Sequence, residues 1–271
     1  MTTPRILIFD SGMGGLTVAR AVRAQLPDAH LVYAADNAAF PYGAWKEEAL
    51  VARIVRVIGA FFERAEPHIA VIACNTASTL ALAALREAYK LPFVGTVPAI
   101  KPAAAQTNSG IIGVLATPGT ASREYTQALI HTYATHRKVF LHGATHLAEI
   151  AERKFKGESV NLAALAHEIA PVFREHEGKR TDVVVLGCTH YPLLLEEIAK
   201  VAPWEVAYID PAPAIARRAA DVLDETPLRE AKARVPQPGT VILTSRQGIA
   251  GALPAYAAMG FPVHEILEMP V

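Results

Sequence analysis

Short apolar runs alternate with longer stretches in which apolar side chains recur at helical spacing, and the alternation continues along most of the chain. Runs at 5–9, 31–35, 69–73, 92–95, 111–115, 138–141, 183–186, 205–209 and 240–244 are dense in Val, Ile and Leu. Strands covered by helices on both faces read this way. Between them, 16–25, 47–64, 79–89, 123–132, 162–174, 193–200 and 214–223 carry the helical pattern. The expected class is therefore α/β, built from βα units on parallel sheets.

The strand starts carry a second regularity. The first four are spaced by 26, 38 and 23 residues, the next four by 27, 45 and 22. One four-strand module is used twice, as an architectural repeat with only weak residue similarity. Two parallel-sheet domains related by an approximate two-fold are expected.

Composition narrows the function classes. The 271 residues hold 26 Lys+Arg against 26 Asp+Glu. This balance removes the field that nucleic-acid and anionic-membrane binders rely on. No nucleic-acid or membrane partner is expected. No stretch approaches the roughly 18 apolar residues of a membrane span, and the start lacks a charged segment followed by a long apolar one. The expected location is the cytoplasm. Two cysteines 114 positions apart make neither a CxxC pair nor a four-ligand zinc site.

Placed on the strand pattern, the same two cysteines become the main chemical signal. Cys74 and Cys188 each follow the third strand of a module. In open α/β sheets, ligands bind beyond the carboxyl ends of the strands. Two modules facing each other would form an interdomain cleft with one thiol on each wall. A lone Cys is usually a small buried hydrophobe, but the neighbours here are those of a helix-terminus anion site: Asn75, Thr76, Ala77 and Ser78 after one, Thr189 and His190 after the other. A third cluster, Asp10-Ser11-Gly12-Met13-Gly14-Gly15, follows the first strand. It is not a dinucleotide fingerprint, because Thr17 stands where the last glycine belongs, and no Gly-Lys-Ser/Thr of a P-loop follows. Asp10 at a buried strand end costs desolvation unless it is paired or used. His142, His146 and Glu149 have possible metal-ligand spacing, yet they straddle a strand end and a helix start, so no metal is expected. The charged clusters at 152–156 and 174–180 read as solvated helix ends.

Together with Pro41-Tyr42-Gly43, the Thr117-Pro118-Gly119-Thr120 turn and Gly187-Cys188-Thr189-His190-Tyr191-Pro192-Leu193, these motifs resemble the glutamate racemases, within the cofactor-independent aspartate/glutamate racemase group. The resemblance implies a cytoplasmic, homodimeric isomerase that supplies D-glutamate for peptidoglycan, with no pyridoxal phosphate and no metal. It implies two flavodoxin-like domains, one of 1–98 plus 207–271 and one of 99–206.

Racemisation removes a proton from one face of Cα and delivers one to the other, which suits two thiols on opposite walls. A positioned base supplies only about 10²–10⁴-fold, so the carbanion also needs preorganised donors. Candidate donors are Ser11, Pro41, Tyr42, Gly43, Asn75, Thr76, Thr117, Thr120 and Thr189. The resemblance implies that Cys74 takes the proton of D-glutamate and Cys188 that of L-glutamate, assisted by Asp10 and His190. Glu152 is a further catalytic candidate by loose alignment. Other substrates of the same superfamily, aspartate, hydantoins or maleate, and a two-lobed binding protein without chemistry are the alternatives.

Overall fold

The computed structural model describes residues 3–226 and 238–271. In chain order the elements are β1 (Arg5–Asp10), α1 (Leu16–Gln25), β2 (His30–Ala35), α2 (Glu47–Ala65), β3 (Ile69–Ile72), α3 (Asn75–Ala88), β4 (Phe93–Val94), α4 (Ile100–Gln106), β5 (Ile111–Ala116), α5 (Pro118–Ala121), α6 (Glu124–Tyr133) and β6 (Lys138–Gly143). They continue as α7 (Leu147–Phe155), α8 (Leu162–Ile169), β7 (Glu175–His176), β8 (Lys179–Arg180), β9 (Val183–Gly187), α9 (Leu195–Val201), β10 (Ala207–Ile209), α10 (Ala212–Asp224), β11 (Thr240–Leu243), α11 (Leu253–Ala258) and β12 (Val263–Ile266).

Two compact units result, one of Met1–Thr96 with Ala212–Val271, the other of Val97–Pro211. The first holds a six-stranded sheet in the order β12-β11-β2-β1-β3-β4, the second a four-stranded sheet in the order β10-β9-β5-β6. Every pairing within these two sheets is parallel. The first four strands of the first sheet and the four of the second share one order: β2-β1-β3-β4 in the first matches β6-β5-β9-β10 in the second. The spacing repeat is thus a repeat of connectivity. Strand Ala207–Ile209 pairs with β9, in register Ala207↔Val183, so the chain returns to the first unit at Ala212 rather than at 207.

Burial follows the apolar pattern. β3 and β5 are buried at every residue, and β9 likewise. One face of the first sheet packs Leu7, Phe9 and Ile72 against Ile54, Val57 and Phe61 of α2 and Leu85 of α3. In the second unit Leu115, Val184 and Leu186 pack against Leu147, Leu165 and Ile198. No helix among the described residues is long and apolar enough to cross a membrane.

Several elements differ from the sequence pattern. β12 was not expected; Val263 and His264 are exposed, so an edge strand shows no apolar run. The 174–180 segment is no helix end: β7 and β8 form an exposed antiparallel hairpin, turned by Glu177 and Gly178 at positive φ. Helix α3 starts at Asn75 instead of 79, with Cys74 as its N-cap. The expected helix at 162–174 ends at Ile169, where Pro171 enters a 3-10 turn.

Candidate functional site

In the first unit, β1, β2 and β3 end side by side and deliver Asp10, Asp36 and Cys74 to the carboxyl edge of the sheet. Asp10 is fully buried, and its Oδ1 accepts the Gly12 amide at 2.8 Å. Tyr33 donates its hydroxyl to the Gly12 carbonyl at 2.7 Å. The glycine cluster folds here for a steric reason: a Cβ on Gly15 would lie 2.9 Å from Asp10 Cβ, 3.0 Å from the Tyr33 hydroxyl and 3.2 Å from Ala73 Cβ. Gly15 therefore lets α1 start directly behind the acid.

Cys74 is 6% exposed, and its Sγ lies 3.8 Å from Ser11 Oγ, a contact in which either atom can donate. Asn75 and Thr76 fall in the first turn of α3 and are buried beside the thiol. The positive end of the helix dipole favours an anion at this turn. Neither atom of the buried Asn75 amide has a hydrogen-bond partner among the described residues. Such a group costs about 1–3 kcal/mol unless something binds it.

Pro41, Tyr42 and Gly43 form a short turn between β2 and α2. The Tyr42 hydroxyl points inward and donates to Asp36 Oδ2 at 2.7 Å. Burial, then the Asp36 charge and hydrogen bond, then Cys74 hold this phenol well above its ordinary pKa. It stays protonated, and its one proton is committed to Asp36.

In the second unit, β5 and β9 end together, with Ala116 opposite Gly187. A Cβ on Gly187 would stand 2.7 Å from the Leu115 carbonyl oxygen, so the strand can approach β5 closely only without a side chain. Cys188 follows, 6% exposed, with Sγ 3.7 Å from His190 Nδ1. The other ring nitrogen, Nε2, is 2.8 Å from Glu152 Oε1 on α7. Glu152, His190 and Cys188 thus form a continuous buried series. Glu152 belongs to a cluster expected to be solvated, but α7 turns it inward to 7% exposure, while Arg153 faces Glu158 in solvent. Lys154 donates to Glu197 at 2.7 Å and to the Leu193 carbonyl at 2.8 Å, clamping α7 to the turn that carries His190.

Thr189 is buried next to these groups. Thr117 caps α5 by accepting the Thr120 amide, and its hydroxyl donates to Thr120 Oγ1 at 3.0 Å. This turn follows β5 and so shares the edge with Cys188. Tyr191, absent from the sequence-derived candidates, donates its hydroxyl to the Ala116 carbonyl at 3.0 Å. Burial, then Cys188 and Glu168, raise its pKa well above the ordinary value. Each thiol therefore has a protonated, buried tyrosine close by. His142 lies inside β6, whereas His146 precedes α7 and faces Glu149 at 3.7 Å.

Comparison with known proteins gives one consistent picture. Residues 16–219 match the family model described as Asp/Glu/Hydantoin racemase. The chain is 57% identical, over 80% of its length and 79% of the relative's, to the glutamate racemase of Brucella canis. Among solved structures it is similar to Escherichia coli glutamate racemase in complex with L-glutamate and the activator UDP-MurNAc-Ala, with TM-score 0.91 and 43% identity over 98% of this chain and 99% of that one. It is also similar to the glutamate racemase isoform RacE1 of Bacillus anthracis, with TM-score 0.81 and 29% identity over 99% and 98% of the two chains.

Proposed function

The chain belongs to the Asp/Glu/hydantoin racemase family, and from that premise we propose that it interconverts L- and D-glutamate by proton transfer at Cα between two cysteines, without a cofactor. One observation carries the mechanism. Each unit contains the same order of four strands, and each presents a buried thiol just past the carboxyl end of the equivalent strand, β3 or β9, with Cys188 Sγ 3.7 Å from His190 Nδ1 and Cys74 Sγ 3.8 Å from Ser11 Oγ. A single base tends to return the proton it took; inversion needs a second donor on the opposite face.

In the forward sense from L-glutamate, Cys188 as thiolate takes the Cα proton while Cys74 as thiol delivers its own to the opposite face. His190 accepts and returns the Cys188 proton through Nδ1, and Glu152 on Nε2 orients the ring and stabilises the charge that develops on it, as a carboxylate does for a catalytic imidazole elsewhere. Asp10 is assigned the corresponding acid/base role for Cys74, while Ser11, whose hydroxyl lies 3.8 Å from the Cys74 sulfur, is assigned to the substrate. In the reverse sense the two thiols exchange roles. The Cα–H of an amino acid is a weak acid, so donors must hold the carbanion: Asn75, Thr76, Thr189 and the α3 N-terminus are assigned to the α-carboxylate. The 41–43 backbone and the Thr117–Thr120 pair are assigned to the rest of the substrate.

The product is the D-glutamate that peptidoglycan synthesis consumes. We place the enzyme in the cytoplasm, where that precursor is used, and assign it the homodimer that the family resemblance implies.

Incubation with glutamate in D2O tests the reading. The expected result is loss of optical rotation and gain of Cα deuterium from either enantiomer without added cofactor. Absence of exchange from either enantiomer overturns the two-base reaction, and exchange with aspartate in its place moves the substrate within the family.

A further inference from the structure

The first unit contains a buried ion pair that the proton transfer does not use. Asp36 is fully buried, and its carboxylate accepts four hydrogen bonds. Oδ2 takes the Tyr42 hydroxyl and Arg53 Nε, each at 2.7 Å. Oδ1 takes Arg53 Nη2 at 2.7 Å and the Thr244 hydroxyl at 2.8 Å. These fill the roughly four acceptor positions of a carboxylate.

Arg53 sits on the buried stripe of α2 beside Leu50, Ile54 and Val57. Its remaining donors reach the carbonyls of Met269 at 2.9 Å and Pro270 at 3.1 Å, and its guanidinium lies 5.6 Å from the Trp45 ring centroid. Asn37 Oδ1 in turn accepts the amides of Thr244 and Ser245, and the Ala38 amide donates to Thr244 Oγ1.

A buried ion pair is weak evidence for stability, because desolvation can cancel its Coulombic gain. What distinguishes this one is where its bonds converge. Tyr42 lies in the 41–43 turn, Trp45 just after it, and Asn37 and Ala38 just before it. The turn is held from β2, α2, the end of β11 and the chain's final residues at once.

We propose that Asp36 and Arg53 are positioning residues that fix the 41–43 turn in its glutamate-binding geometry, with Tyr42 as the tether and the Met269 and Pro270 carbonyls as the anchor. The proposal rests on the reading of that turn as part of the glutamate site. It goes further in assigning the Tyr42 hydroxyl to the scaffold and in making residues about 200 positions downstream part of the turn's support.

Two full-length variants test it. Arg53→Lys keeps the cation but loses the fork that reaches Asp36 and two carbonyls together. Thr244→Val keeps the shape and removes one bond to Asp36. The expected result for Arg53→Lys is a five- to twentyfold rise in KM for glutamate with kcat within threefold, and a two- to fivefold rise for Thr244→Val. Amide hydrogen exchange gives a substrate-independent reading: residues 37–45 exchange at least tenfold faster in Arg53→Lys, while residues 69–88 keep wild-type rates. Unchanged KM and unchanged exchange at 37–45 in both variants overturn the proposal, as does a loss of kcat at constant KM. If the wild-type protein leaves glutamate untouched but exchange at 37–45 still responds, the glutamate reading fails and the positioning role stands.

Discussion

Glu152 Oε1 stands 2.8 Å from His190 Nε2, and both side chains are buried. The contact commits one ring nitrogen to a carboxylate and leaves Nδ1 facing Cys188 Sγ at 3.7 Å. Glu152→Gln keeps the size and removes the charge. We expect kcat to fall by about 10²-fold, the lower end of what a positioned acid/base group supplies, with KM within threefold. His190→Asn is expected to cost at least as much. The double variant should be little worse than His190→Asn alone, because groups acting as a unit are not additive. Steady-state kinetics on all three variants check this, and full additivity would separate Glu152 from the Cys188 half-reaction.

The two thiols are expected to fail in the same way. Cys74→Ala and Cys188→Ala each leave a single acid/base group, so each should abolish racemisation while the protein remains folded by circular dichroism. Both cysteines are small buried side chains, and replacing a thiol by a methyl costs little packing relative to the catalytic loss. Near-normal turnover in either variant would return that cysteine to the role of a core residue.

Asn75 gives a prediction in which stability and affinity part company. Its buried amide has no partner among the described residues, so truncation relieves desolvation as well as removing contacts. Asn75→Ala is expected to keep Tm within about 2 °C of the wild type or to raise it, where 1 kcal/mol corresponds to roughly 2–4 °C in a chain of this size class. A hydrogen bond to a charged ligand group contributes about 1.5–3 kcal/mol, which corresponds to a rise in KM of about ten- to a hundredfold. Calorimetry and kinetics on one preparation check both halves. A marked loss of Tm with unchanged KM would make Asn75 structural.

How far the fold was legible depends on whether its signals were local. Buried strands such as β3 and β9 show as apolar runs because both faces are covered, and the equivalence of Cys74 and Cys188 followed from strand spacing alone. β12 escaped because an exposed edge strand has no such run. The start of α3 was hidden since Asn75, Thr76 and Ser78 favour caps and turns, yet here they sit inside the first turns of the helix. The residue pattern reads Glu152 as solvated because α7 is short and strongly charged, and loose alignment alone makes it a catalytic candidate; the fold shows that this carboxylate faces inward. The Asp36–Arg53–Thr244 network joins residues 17 and 208 positions apart. No local pattern encodes that meeting, although Arg53 on an apolar helical stripe beside Leu50 and Ile54 is a signal that a buried partner exists.

Gly187 and Gly43 lie in two sequence motifs of the same chain, yet the structure predicts opposite responses to a methyl group. At Gly187 the added Cβ would meet the Leu115 carbonyl oxygen at 2.7 Å, backbone of a neighbouring strand that cannot rotate away. Gly187→Ala is therefore expected to cost about 1–3 kcal/mol through overpacking. Pushing β9 from β5 also shifts Cys188 and His190 relative to Glu152 on α7, and a displacement of about 1 Å at reacting groups can cost about 10²-fold in rate. At Gly43 nothing lies within 4 Å of the added Cβ, so Gly43→Ala should leave stability within about 0.5 kcal/mol. Its effect should appear in KM alone, because a side chain there stands where the turn's backbone is to meet the substrate. Thermal unfolding together with kcat and KM for both variants decides the matter. A Gly43→Ala enzyme with wild-type KM would remove this turn from the substrate contact, while a Gly187→Ala enzyme with wild-type Tm would show that β5 and β9 can separate without strain.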